Sequence, residues 1–227
     1  IGGSTTDQRY ISDGYTFQDI LQKEFERNGK DVFVVNAGVD GQSSFGHIKN
    51  FDWWFPNIPN LKAKYLLFYI GVNDFYIQSN SHFDDLKGES GNVIKNYIKS
   101  RSVLFYLYRT IEGVFLAKTF GLRHNAAHKS GNFSTIDWEN KPTLSNYEEI
   151  MSVRLSGFEK RLNILFEKVK LFGSIPICVT QSERRKYDFI DKKLYGSPNA
   201  LNNYPGLVGN GVDYYNMMQL LHEITKK

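Results

Sequence analysis

A serine on a glycine-flanked turn opens the chain, in Ile1-Gly2-Gly3-Ser4-Thr5. A hydroxyl presented on such a turn can act as a nucleophile for acyl transfer. Attack on an ester carbonyl builds negative charge on oxygen, and that charge needs preorganised donors. Two downstream motifs can supply them: Asn36-Ala37-Gly38-Val39-Asp40-Gly41 and Gly71-Val72-Asn73-Asp74. The backbone N–H of Ser4, the backbone N–H of Gly41 and the side-chain amide of Asn73 are three candidate donors to one oxyanion. Gly41 has no Cβ, so its backbone can approach a ligand closely. Asp74, beside Asn73, and Gln181, in the pair Thr180-Gln181, are candidate substrate-binding residues.

These residues meet only if the elements before them are neighbours. Val32–Asn36 and Tyr65–Ile70 are short runs rich in β-branched and aromatic residues, closed by Gly, Asn or Asp. They read as buried strands of a parallel sheet, as does Ile175–Thr180. In an open α/β sheet, ligands bind in the crevice beyond the carboxyl ends of the strands. Between the strands the pattern turns helical. Thr16 can cap a helix to about Asn28, with Phe17, Ile20, Leu21 and Phe25 inward and Gly29 at its end. A helix or loop is expected over about Ser43–Phe55. A long helix is expected over about Asn146–Phe172, burying Ile150, Val153, Leu162, Leu165, Phe166 and Val169. A last helix is expected over Gly211–Lys226.

The three motifs, in this order and each after a strand, resemble the SGNH (GDSL-type) serine hydrolase superfamily. The resemblance is carried by Gly2 to Asp74; beyond that only the strand–helix rhythm agrees. It implies a flavodoxin-like α/β/α sandwich with a mostly parallel central sheet. It also implies Ser4 as nucleophile, with Gly41 and Asn73 completing the oxyanion hole. Gly3 stands where the family name has Asp, and Thr5 where it has Leu. The implied activity is that of a serine esterase or acyltransferase, without cofactor or metal. It acts on small-molecule or carbohydrate acyl esters, with O-acetyl groups on carbohydrate the first expectation. Thioesterase and lysophospholipase activities stay open, as does a catalytically inactive glycan-binding module. A nucleotide-binding α/β domain is the remaining rival, but Gly2-Gly3-Ser4-Thr5 lacks the spacing and lysine of a phosphate loop.

The family's fourth block, Asp-x-x-His, is missing. The histidines are His47, His82, His124, His128 and His222. Asp213 precedes His222 by nine residues, which at 100° per residue puts the two on opposite faces of one helix. Met217, Leu220, Leu221 and Ile224 form that helix's apolar stripe, so His222 is expected on its solvated side. Only Ile1 precedes the nucleophile turn, and no strand follows the last helix. The expectation is therefore a single domain cut at both ends, whose general base lies beyond residue 227 and whose membrane anchor, if one exists, lies outside these residues.

The chain has 227 residues, enough for one domain with a well-buried core. Its net charge of +4 comes from 28 basic and 24 acidic residues scattered throughout, which is no nucleic-acid footprint. The one cysteine, Cys178, excludes an internal disulfide and reads as a core thiol. Residues 75–144 form an insertion larger than a crossover needs. Within it, Val103–Leu122 reads as a core helix, with a lid or a membrane-surface patch as sharper alternatives, and Arg123–Thr143 as a loop. Arg109, Glu112 and Lys118 argue against a transmembrane span. Ser182–Lys193 holds Arg184, Arg185, Lys186, Lys192 and Lys193, and reads as a solvated loop able to attract an anionic glycan or lipid headgroup. Compartment and oligomeric state are not encoded legibly.

Overall fold

The computed structural model describes residues 1–8, 11, 13–77, 137–183, 186–204 and 206–227. Most of the expected 75–144 insertion, with Val103–Leu122, His82, His124 and His128, lies outside the described residues, as do Arg184 and Arg185. The fold is mixed α/β, and the described residues fall into two compact units. One contains 8–36; the other contains 1–7, 37–77 and the described residues from 137 onward.

The smaller unit holds the helix expected after Thr16. A one-turn helix α1 (Ser4–Asp7) precedes it in the chain, and α2 runs over Phe17–Arg27. Thr16 Oγ1 accepts the Asp19 N–H at 3.1 Å, and Asp19 Oδ2 accepts the Thr16 N–H at 3.1 Å, a reciprocal capping box. Gly29, at φ +64°, follows the end. The strand expected over Val32–Asn36 is not formed. Instead the Gln22 side chain takes its backbone groups: Val34 N–H donates to Gln22 Oε1 (2.8 Å), and Gln22 Nε2 donates to Val32 O (3.0 Å). Val32, Phe33 and Val35 are exposed. A strand needs a ladder partner for its backbone groups, and here a side chain has replaced it.

In the larger unit, β1 (Tyr65–Ile70) and β2 (Ile175–Thr180) pair in parallel, Tyr65 opposite Ile175 and Ile70 opposite Thr180. Gly2 adds single parallel bridges to Tyr69 on one side and Gly38 on the other. The Tyr69 N–H donates to Ile1 O at 3.0 Å and the Val39 N–H to Gly2 O at 2.9 Å. Helix α3 (Ser44–Trp53) is capped by Ser43, and Phe51 joins Phe55 and Phe172 in edge-to-face contacts.

Helices α4 (Tyr147–Leu171) and α5 (Gly211–Lys226) pack on each other and on β2. Phe68 and Ile70 of β1 join Met151, Phe158, Leu162, Leu165 and Val169 of α4, and Tyr214, Met217, Met218 and Leu221 of α5, in one core. Val153 departs from the expected stripe and is 62% exposed, while Arg154 and Arg161 are buried. Strand β2 is half-buried on one face and exposed on the other, where Ile175, Ile177 and Val179 lie. Cys178 is accordingly half-buried beside the core, and burial pushes its thiol up to about 11.

The basic stretch expected as a loop is largely a hairpin. Strands β3 (Tyr187–Ile190) and β4 (Lys193–Gly196) pair antiparallel across Asp191 and Lys192, both at positive φ (49° and 64°). Two consecutive left-handed residues make the tight turn whose twist matches the flanking strands. Non-glycine residues occupy it, so the sequence carried no Asn-Gly or Asp-Gly signal.

Candidate active site

The two bridges at Gly2 set three chain segments side by side: the Ser4 turn, the segment ending at Gly41, and the end of β1 leading to Asn73. Ser4 is exposed at the first position of α1, whose Thr6 and Asp7 N–H groups both donate to Gly3 O at 2.9 Å. Gly2 and Gly3 are glycines for a contact reason. A Cβ at Gly2 would stand 2.7 Å from Tyr69 O, and one at Gly3 would stand 2.5 Å from Asn73 Nδ2. Asn73 Nδ2 donates to the carbonyl of Gln42, the residue after Gly41, at 2.7 Å. Gly41 has φ +77° and open space where a side chain would be. The residue after Gly41 thus holds the Asn73 amide, and that amide occupies the space a side chain at Gly3 would take.

Behind these residues lies a buried polar layer. Ser44 N–H and Oγ both donate to the Asp74 carboxylate. Arg161, from α4, donates through Nε to Ser44 Oγ (2.6 Å) and ion-pairs with Asp74 Oδ1 (3.1 Å). Its guanidinium also lies 4.7 Å over the Phe45 ring. Asp74 was expected to contact substrate; it is 1% exposed and its oxygens face inward to Ser44 and Arg161. Burial pushes its carboxyl above the usual range, against the pull of Arg161 and the Ser44 hydrogen bonds. The turn needs Asp74 as an anchor: it ties the Asn73 segment to α3 and α4.

A second network holds Gln42. Its Nε2 donates to Asn50 Oδ1 (3.0 Å), and its Oε1 accepts from Asn50 Nδ2 and from His47 Nδ1, each at 3.1 Å. An amide oxygen only accepts, so His47 carries its proton on Nδ1. His47 is fully buried, and burial pushes its imidazole down to about 3, so it is neutral at ordinary pH. Its role is to hold Gln42, whose carbonyl in turn holds Asn73.

Gln181 follows β2 and is buried. Its Oε1 accepts the Val72 N–H (3.2 Å), its Nε2 donates to Thr5 Oγ1 (2.7 Å), and its carbonyl accepts from His222 Nε2 (2.8 Å). His222, expected in solvent, is therefore buried, at 8% exposure. The apolar stripe of α5 faces α4, but the loop after β2 covers the flank that the stripe alone leaves open. Asp213 is likewise buried, accepting from Thr143, the Leu144 and Asn210 N–H groups and the Tyr147 hydroxyl. Burial raises its carboxyl, but those hydrogen bonds outweigh it and the net shift is downward.

Neither His47 nor His222 hydrogen-bonds Ser4, and Asp213 and His222 do not pair. Sequence reasoning missed Ser44, Arg161 and Thr5; a hydroxyl residue at or near the first two motifs and an arginine within an apolar helix stripe were the only signals. A surface pocket of about 510 Å³ lies elsewhere, between Ser145–Glu149 and Asn216 and Leu220, and none of Ser4, Gly41 or Asn73 lines it. Among the described residues, no group of three or more His, Cys, Asp or Glu side chains is placed to hold a metal ion, and no helix is long and apolar enough to cross a membrane. Neither family models, curated proteins nor solved structures give a match to this chain.

Proposed function

We propose that this protein is a serine esterase of SGNH/GDSL type, built on a flavodoxin-like sheet, that hydrolyses or transfers small acyl groups. O-acetyl esters of carbohydrate are the substrate class that the family resemblance favours. The observation that carries the reading is the Asn73 amide bonded to Gln42 O and lying where a side chain at Gly3 would be, so that the Ser4, Gly41 and Asn73 segments are neighbours. Ser4 Oγ attacks the ester carbonyl as a base from outside the described residues takes its proton and the carbonyl π pair moves to oxygen. Collapse breaks the ester C–O bond, the alcohol leaves with that proton, and water or an acceptor hydroxyl then takes the acyl group from Ser4. The oxyanion is met by the Ser4 and Gly41 N–H groups and by the second Asn73 amide hydrogen, which Gln42 leaves free. Each such donor is worth roughly 3–4 kcal/mol of transition-state stabilisation. Gly3 departs from the family's Asp, and in this chain a side chain there would require the Asn73 amide to shift.

The full-length protein, with whatever segment supplies the general base, should hydrolyse p-nitrophenyl acetate and be labelled at Ser4 by a fluorophosphonate. Ser4→Ala should lose both; labelling that persists in this variant refutes the assignment. A second reading, an inactive glycan-binding module, is favoured by one observation: His47 and His222 are committed to Gln42 and Gln181. Saccharide binding without labelling or turnover would select it.

A further inference from the structure

Gln181 makes a pattern of contacts that substrate binding does not explain. Its side chain is buried, and both ends of its amide are used. The oxygen takes the Val72 N–H, one residue before Asn73; the nitrogen donates to Thr5 Oγ1, one residue after Ser4. One rigid amide thus spans the nucleophile turn and the oxyanion turn. Its own position is fixed from behind, because a carbonyl can only accept and His222 Nε2 therefore donates to Gln181 O at 2.8 Å. Thr5 is exposed on a single-turn helix, so local hydrogen bonding holds it weakly, and Gln181 supplies the long-range tie.

We infer that Gln181 is a positioning residue: it fixes the distance between the Ser4 hydroxyl and the Asn73 amide, with His222 as the latch that holds Gln181 in place. This inference rests on the serine hydrolase reading. It assigns Gln181 to the site without contact to substrate, so its loss changes the chemical step more than binding. Misplacing a reacting group by about 1 Å costs up to about 10²-fold in rate.

The test uses the full-length protein, with whatever segment supplies the general base, in four forms: unmodified, Gln181→Met, Thr5→Val and the double variant. Gln181→Met keeps the length of the side chain and removes both hydrogen bonds. Thr5→Val removes only the acceptor, on an exposed residue whose replacement leaves the core intact. Each single change should lower kcat on p-nitrophenyl acetate about 10- to 100-fold, with KM within about threefold, and should slow fluorophosphonate labelling in parallel. Because both act through one link, the double variant should lose no more than the weaker single variant already has. Hydrogen exchange at the Val72 amide should accelerate in Gln181→Met and stay unchanged in Thr5→Val. Unmodified labelling and kcat in Thr5→Val and Gln181→Met overturn the positioning role alone, as do fully multiplicative losses in the double variant. Absence of labelling at Ser4 in the unmodified chain overturns the hydrolase reading, and this inference falls with it.

Discussion

Asn73 carries two amide hydrogens, and among the described residues only one is committed, to Gln42 O. That bond orients the amide before any ligand arrives, which is the preorganisation an oxyanion donor needs. Asn73→Ala should therefore lower kcat about 10²-fold with little change in KM, measured by steady-state hydrolysis of p-nitrophenyl acetate. A change confined to KM would make Asn73 a ground-state binding residue instead. Asn73→Asp tests the same point differently: a carboxylate facing a developing oxyanion should be at least as damaging as alanine. Residues beside the motifs do the orienting. Gln42, Thr5 and Ser44 have ordinary surface-compatible side chains, and nothing in their types announced that each would bridge to a distant segment.

At the scale of elements, α4 is joined to the turn after β1 by two buried arginines, Arg154, whose Nε donates to Phe75 O at 3.1 Å, and Arg161. Arg161 links α4 to Ser44 at the start of α3 and to Asp74 in the turn after β1, with the charged groups 5% and 1% exposed. Removing one member of a buried pair leaves the other charge uncompensated and costs about 3–5 kcal/mol. Arg161→Met should therefore destabilise the protein by about that amount in urea unfolding. Adding Asp74→Asn should cost less than the sum of the two single changes by about 1 kcal/mol or more, because the charge left behind is then gone. Strict additivity would show that the pair contributes nothing as a pair. The helices α2, α4 and α5 and the strands β1 and β2 were legible in sequence because capping residues, glycine stops and apolar periods are local signals. The Val32–Asn36 strand and the β3–β4 hairpin were misread because both depend on what the backbone pairs with, and pairing is not local.

For the molecule as a whole, buried neutral His47 couples stability to pH. The folded imidazole takes a proton only near pH 3, whereas an unfolded one does so near about 6.5. Between those values the unfolded chain binds more protons, so this residue makes stability fall as pH drops, by up to about 1.4 kcal/mol per pH unit. His47→Gln keeps a hydrogen-bonding side chain for Gln42 and removes the titration. Urea midpoints at pH 7 and pH 4.5 should differ less for this variant than for the unmodified protein; equal differences would show that His47 is accessible to protons in the folded state. The sequence alone determined the α/β class, the bounds of most helices and strands, and three motifs of the right residue types for acyl transfer, since each depends on a few neighbouring residues. It did not determine the inward commitment of Asp74, the burial of His222 behind the β2 loop, or the span of Gln181 from Thr5 to Val72. Those were decided by tertiary structure, because hydrogen bonds between residues far apart in the chain form only after packing has brought the segments together.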